Sequence, residues 1–278
     1  MKYATLNNGI KMPMLGFGVF RVEDSRECIS AVKEAIAAGY RSIDTAAIYG
    51  NEKSVGTAIK ESGVPREELF ITTKVWNEVQ RTGDVETAFQ NSLVDLGIDY
   101  LDLYLIHWPV KGRYVDTWLA LEKIYNSGRA KAIGISNFQT NHIEDIKKVW
   151  TVVPVMNQIE MHPRLTQKPL IEFCRKNDII PESWSPLGGS MPGEVKSKII
   201  EEPILASIGK KYNKTPAQVI LRWNIDLGIV TIPKSITPER IRENLDIFDF
   251  ELTAEDIAAI DALNTNQRVG PDPDNFSF

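Results

Sequence analysis

The sequence predicts an α/β protein whose parallel strands close into a (β/α)8 barrel of the TIM type. Three observations lead there. Short, nearly continuous apolar runs alternate with amphipathic helical segments from end to end. That alternation requires right-handed crossovers and a parallel sheet, and unbroken apolar runs suit strands covered on both faces. Eight such units fit into 278 residues, close to the roughly 250 that a barrel needs. No Pro/Gly/Ser-rich linker, charge block or internal repeat divides the chain, so one domain over residues 1–278 is expected.

The elements follow in order. Ala4–Leu6, the turn Asn7-Asn8-Gly9 and Ile10–Met12 read as a β-hairpin, placed to cap the barrel floor. Barrel strands are expected at Leu15–Phe17, Arg41–Asp44, Phe70–Lys74, Asp102–His107, Ala130–Ile135, Val155–Glu160, Ile179–Ser183 and Ile229–Pro233. Between them, Ser25–Ala38, Asn51–Ser62, Asp84–Leu96, Asp116–Ser127, Thr140–Val149 and Lys168–Lys176 have helical periodicity. Gly39 and Gly128 follow two of these, where a left-handed closing residue is wanted. Asn51 with Ser54 and Asp84 with Thr87 supply starts. Near the C-terminus come extra helices: Pro203–Tyr212 beside Pro216–Leu227, then Thr253–Leu263 after the last unit.

Composition narrows the function. A net charge of −5 and a pI near 5.4 argue against a nucleic-acid or anionic-membrane surface, which needs an excess of Lys and Arg on one face. No apolar run approaches the roughly 18 residues of a membrane span, and the polar start MKYATLNNGIK does not read as a signal peptide. Cys28 and Cys174 lie far apart, which fits a reducing cytoplasm and excludes a disulfide scaffold or a Cys-rich zinc site. With three histidines, His107, His142 and His162, no metal site is expected. His142 reads as solvent-facing on its helix, His162 as a loop hydrogen-bonder, and the two cysteines as core residues.

Barrel chemistry sits at the C-terminal ends of the strands, and here polar residues close apolar runs. Strand two ends in Asp44, with Tyr49 just beyond; strand three ends in Lys74; strand four ends in His107. Neighbouring strands stand about 4.8 Å apart, so an acid, a phenol, an amine and an imidazole converge on one mouth. Taken singly, they could be a turn cap, a core aromatic, a solvated strand end and a core histidine. Together they suit proton delivery to a carbonyl oxygen. An ammonium lowers a neighbouring phenol's pKa from its usual value near 10, a carboxylate keeps that ammonium charged, and an imidazole orients the carbonyl. Hydride would come from a cofactor.

At these residues the chain resembles the aldo-keto reductase family. The segments that carry the likeness are GYRSIDTAAIYGNEKSVG (Gly39–Gly56), ITTKVW (Ile71–Trp76) and DYLDLYLIHWP (Asp99–Pro109). KAIGISNF (Lys131–Phe138), NQIEMHP (Asn157–Pro163), WSPL (Trp184–Leu187) and IPKSITPERIRENL (Ile232–Leu245) extend it past the last strand. The ending RVGPDPDNFSF is similar to short-tailed bacterial and plant-type members, including methylglyoxal/glyoxal and 2,5-diketo-gluconate reductases. The resemblance implies a monomeric, cytoplasmic, NADPH-dependent carbonyl reductase. Tyr49 would be the general acid, Lys74 and Asp44 would tune it, and His107 would orient the substrate. Ser136, Asn137 and Gln158 would bond the nicotinamide carboxamide, with Trp184 stacked on its ring. Ser185 and Leu187 would lie along the pyrophosphate. Lys234, Ser235 and Arg240 would hold the 2′-phosphate, where a planar guanidinium can also stack on adenine, and Glu243 and Asn244 would meet the adenine edge. Phe20, Trp76 and Trp108 would line the substrate pocket with Tyr49 and His107, joined by Phe276. The short tail and the short loop after His107 imply an open pocket.

Two features stand apart. GFGVF (Gly16–Phe20) has a Gly-x-Gly but no third glycine at dinucleotide-loop spacing. Glu182 is an unexpected polar residue beside Trp184, read as pointing away from the nicotinamide. The alternative to an enzyme is a barrel that binds NADPH and signals to a partner without significant turnover.

Overall fold

The computed structural model describes residues 1–23, 25–189 and 198–278. The N-terminal hairpin pairs β1 (Tyr3–Thr5) with β2 (Lys11–Pro13) antiparallel, Tyr3 opposite Pro13. Eight parallel strands follow in chain order: β3 (Phe17–Gly18), β4 (Ser42–Asp44), β5 (Phe70–Val75), β6 (Leu103–Ile106), β7 (Ile133–Ser136), β8 (Met156–Glu160), β9 (Ile180–Trp184) and β10 (Val230–Thr231). A parallel bridge between Leu15 and Thr231 brings the last strand back to the first. The Gly16 amide donates to the Thr231 carbonyl at 2.9 Å and the Gly18 amide to that of Pro233 at 3.1 Å, closing the barrel.

The Gly-x-Gly belongs to this seam. A Cβ on Gly16 would stand 2.9 Å from Ile232 Cγ2, and one on Gly18 would stand 3.1 Å from the Ile232 carbonyl oxygen. Side chains there would push the closing strands apart. β10 is shorter than expected: Pro233 has no amide hydrogen for the ladder.

Helices cover the outside: α1 (Ser25–Ala38), α2 (Glu52–Ser62), α3 (Asn77–Thr82), α4 (Val85–Leu96), α5 (Tyr114–Asn126), α6 (Thr140–Lys147), α7 (Lys168–Lys176), α8 (Pro203–Tyr212), α9 (Pro216–Asp226), α10 (Pro238–Leu245) and α11 (Ala254–Asp261). The short α3 has no apolar periodicity to announce it; Gln80 ties it down by donating to the Trp108 carbonyl at 2.9 Å. Asp84 caps α4 by accepting from the Thr87 amide. Asn51 does not cap α2. Its side chain accepts from Thr45 Oγ1 at 2.8 Å and donates to the carbonyls of Val19 and Val22, fastening the loop after β4 to the exit of β3. Gly39 and Gly128 take φ of 117° and 77°, as the helix ends require.

The main core lies between strands and helices, with Trp118, Trp223, Phe89 and Tyr40 fully buried. Each such side chain stabilises the fold by about 1.5–3 kcal/mol. A smaller apolar cluster fills the barrel floor, where Leu6 and Met12 of the hairpin meet Phe70, Leu103, Leu105 and Met156. Asn7 secures the hairpin by donating to the carbonyls of Pro154 and Asp178. Above that floor the interior turns polar.

His142 is buried rather than solvent-facing. Its Nδ1 accepts from the Gln139 amide at 3.1 Å, closing the start of α6, and its Nε2 lies 3.2 Å from Asp274 Oδ1. The chain's C-terminal segment covers it, and sequence periodicity carries no trace of that cover. Cys28 and Cys174 are buried as expected.

Candidate active site

Barrel closure brings the four strand-end residues together. Lys74 is wholly buried in β5, its Nζ donating to Asp44 Oδ1 at 2.6 Å and to the Thr45 carbonyl at 2.8 Å. Tyr49 ends a single 3-10 turn, Ala47–Tyr49, that Gly50 stops at φ 66°. This puts its ring centroid 5.3 Å from Lys74 Nζ. His107 follows β6 and meets the Tyr49 ring edge-on at 5.6 Å between centroids.

The electrostatics are those of a dry site. Burial pulls Lys74 down, but the charge of Asp44 and its short hydrogen bond outweigh it and its pKa is raised, so it is an ammonium. Burial, helped by Lys74, holds His107 well below the usual histidine value, so it is neutral. For Tyr49, burial pushes the phenol up while Lys74 pulls it down. The lowering expected from Lys74 is present, but burial is the larger effect.

Below the tetrad lies Glu182, a buried carboxyl in the barrel interior. Gln158 Nε2 donates both to Asp44 Oδ2 at 2.8 Å and to Glu182 Oε2 at 2.7 Å. Glu182 faces the barrel interior, 1% exposed, and is paired in register with Gln158. Burial first, then repulsion from Asp44, raises its carboxyl to about 8. The signal available in the sequence was a Glu amid a strand run, two residues from Trp184 and thus on the same face.

The residues expected to meet the nicotinamide cluster beside the tetrad. Ser136 Oγ donates to the Gln158 carbonyl at 2.9 Å. Asn137, at φ 64°, donates to the His107 carbonyl and accepts from Trp184 Nε1 at 2.8 Å, pinning the half-buried indole. Ser185 takes a left-handed φ of 49°, and Leu187 packs on the core. The second set of expected residues follows β10, in the loop after it and on α10. Lys234 and Arg240 are exposed, while Ser235 and Asn244 are buried. Glu243 accepts from Thr215 Oγ1 at 2.7 Å, which commits one carboxylate oxygen to the start of α9.

The mouth is aromatic. Phe20 stands 4.9 Å from Tyr49 and Trp76 5.1 Å from His107, centroid to centroid. The pocket is less open than expected, because the C-terminal segment crosses it. Phe276 and Phe278 each lie 5.3 Å from Trp108, and Phe278 stacks on Trp76 at 5.8 Å. The Phe278 carbonyl accepts from Asn77 at 3.1 Å and Arg81 at 2.7 Å. Upstream, the buried Glu160 clamps this segment. It accepts from the amides of Val269 at 2.5 Å and Gly270 at 3.1 Å, and its Oε1 lies 3.0 Å from Nε2 of His162, a loop hydrogen-bonder as expected. Neither Phe278 nor Glu160 was singled out by sequence, since their partners are far away along the chain.

Among the described residues, no group of three or more His, Cys, Asp or Glu could hold a metal ion, and no helix is long and apolar enough to cross a membrane.

The aldo/keto reductase family model matches residues 14–265. A glyoxal reductase of Bacillus subtilis (strain 168) is 55% identical over 273 residues, covering 98% of this chain and 96% of its own. Methylglyoxal reductase DkgA of Salmonella typhimurium is 45% identical over 273 residues, with 98% and 96% covered. The crystal structure of a Bombyx mori aldo-keto reductase in complex with NADP superposes with a TM-score of 0.91. It is 39% identical to this chain, with 98% of this chain and 96% of that one covered.

Proposed function

Because this chain belongs to the aldo/keto reductase family, we propose that it reduces aldehydes and ketones to alcohols with NADPH, as a cytoplasmic monomer of one domain. Its substrates would be small dicarbonyls, aromatic aldehydes and keto-sugars. The observation that carries the chemistry is a phenol packed against both a buried ammonium and a neutral imidazole, at the C-terminal face of the barrel.

The residues present fit the cofactor. Both amide hydrogens of the Gln158 side chain go to carboxyl groups, leaving its side-chain oxygen Oε1 for the carboxamide, with Ser136 and Asn137 alongside. Trp184, fixed by Asn137, would offer a flat face to the nicotinamide, and Ser185 and Leu187 would lie along the pyrophosphate. Lys234, Ser235 and the exposed guanidinium of Arg240 suit a 2′-phosphate, with Glu243 and Asn244 at the adenine edge. When bound, the cofactor supplies a hydride to the carbonyl carbon.

Tyr49 then gives its proton to the carbonyl oxygen. Burial keeps the phenol protonated beforehand, and Lys74 stabilises the phenolate left behind. Asp44 holds Lys74 charged and fixed. Neutral His107 can donate one hydrogen bond to the carbonyl oxygen, orienting it without competing as an acid. Phe20, Trp76 and Trp108, with Phe276 across the mouth, favour flat or apolar carbonyls.

The test is loss of reduced-nicotinamide absorbance, with NADPH and then NADH, against methylglyoxal, a nitrobenzaldehyde, glyceraldehyde and a diketo-sugar acid. Tyr49→Phe should slow turnover by about 10²-fold or more while leaving nucleotide binding intact. Near-normal rates in that variant would refute the acid assignment. Tight NADPH binding with no turnover on any carbonyl would favour the signalling alternative.

A further inference from the structure

In the barrel interior, two carboxyl groups compete for one cation. Asp44 takes Lys74 Nζ on one oxygen at 2.6 Å and Gln158 Nε2 on the other at 2.8 Å. Glu182 shares that same amide nitrogen at 2.7 Å, and its Oε1 is buried with no hydrogen-bond partner. Lys74, Asp44 and Glu182 are 0%, 3% and 1% exposed. Two carboxylates with one ammonium would leave a negative charge uncompensated away from water, which is costly. Asp44 holds the ammonium, so the proton falls to Glu182.

That balance can be reversed from the cofactor side. Glu182 is in register with Gln158 and two residues before Trp184 on β9. These are the two residues assigned above to the nicotinamide, so the inference rests on that reading. An oxidised nicotinamide carries a positive charge; a reduced one does not. We propose that Glu182 senses the cofactor's oxidation state, staying a neutral acid beside the reduced nicotinamide and giving up its proton beside the oxidised one.

Other titratable and charged groups face the same interior. From β5, Lys74 is raised; from the turn after β4, Tyr49 is raised; after β6, His107 is well below its usual value. Asp44 is held by Lys74. On β8 the Glu160 carboxylate is committed to the C-terminal segment, and β10 presents Val230 and Thr231, which do not titrate. The carboxyl of Glu182, raised to about 8, is thus the group poised to exchange a proton near neutral pH. By charge compensation the oxidised cofactor binds more tightly when Glu182 is ionised. High pH would then favour the bound oxidised form, and low pH the bound reduced form.

The experiment measures dissociation constants of NADP+ and NADPH by quenching of tryptophan fluorescence, from about pH 6 to pH 9, for the full chain and Glu182→Gln. The quantity read is the ratio of the two constants, oxidised over reduced. The 2′-phosphate and the residues expected to hold it are common to both nucleotides, so their contribution cancels in it. In the parent protein the ratio should fall with rising pH, by at most about tenfold per unit, and level off once Glu182 is ionised in both complexes. In Glu182→Gln it should be flat and stay at the parent's low-pH value. Adding NADP+ to the parent in weak buffer should release up to about one proton per site, and adding NADPH none. A flat ratio in the parent with both nucleotides bound, or an unchanged slope in Glu182→Gln, would overturn the assignment. Failure of either nucleotide to bind would overturn the cofactor reading and this inference with it.

Discussion

Replacing Lys74 with Met keeps the length of the side chain and deletes its charge. In the intact protein Lys74 is wholly buried and bonded at 2.6 Å to Asp44 and 2.8 Å to the Thr45 carbonyl. Without it, Asp44 keeps Gln158 alone against a buried negative charge. Removing one partner of such a pair costs about 3–5 kcal/mol. An unfolding entropy of about 2.1 cal/mol/K per residue, over 278 residues, converts that to a drop in Tm of about 5–9 °C. Thermal unfolding followed by circular dichroism, without nucleotide, reads it directly. The pH dependence has a definite sign. Lys74 is raised above the ordinary lysine value, so its contribution is complete below about pH 10 and is lost only as pH climbs through the raised value. The titration of Lys74 itself should therefore add no change to the deficit between neutral and mildly alkaline pH. Asp44→Asn combined with Lys74→Met removes both charges and should recover most of the loss, so the two changes should be strongly non-additive. Additive losses, or a Lys74→Met midpoint within about 2 °C of the parent, would refute the view that this pair sustains the polar interior.

Three further outcomes follow from contacts described above. A carboxyl raised to about 8 in the fold binds its proton more tightly there than in the unfolded chain. It therefore costs stability as pH rises from about 4.3 towards that value, by up to about 1.4 kcal/mol per unit. Glu182→Gln should remove this slope from a pH series of urea midpoints, and an unchanged slope would contradict the raised carboxyl. A Cβ on Gly270 would stand 2.4 Å from Trp184 Cη2 and 3.2 Å from Glu160 Oε2. Gly270→Ala should loosen the C-terminal segment by about 1–3 kcal/mol, seen as faster hydrogen exchange at Val269 and residue 270; parent-like protection would show that the clamp tolerates the methyl. Arg240→Ala should weaken NADPH binding by about tenfold or more through lost charged hydrogen bonds and leave NADH nearly unchanged. Equal effects on both nucleotides, measured by titration, would remove Arg240 from the 2′-phosphate.

The sequence determined the barrel and the tetrad because both are written locally. Apolar runs mark strands covered on both faces, helical periodicity marks the segments between them, and a polar residue closing an apolar run stands at the strand end. Asp44, Tyr49, Lys74 and His107 could therefore be placed on one face before any distance was known. Everything that depends on two distant segments meeting was decided by tertiary structure. Gly16 and Gly18 are glycines because Ile232 passes close by at the barrel seam, and Asn51 is turned from a helix cap into a fastener for the exit of β3. His142 is buried by Asp274, 132 residues further along. The mouth is covered because Glu160 accepts from the amides of Val269 and Gly270. The Glu182 carboxyl is raised because folding buries it and sets it beside Asp44, which already holds the cation. Such pairings leave no periodicity in the chain, and a buried group's charge depends on neighbours that only folding assembles.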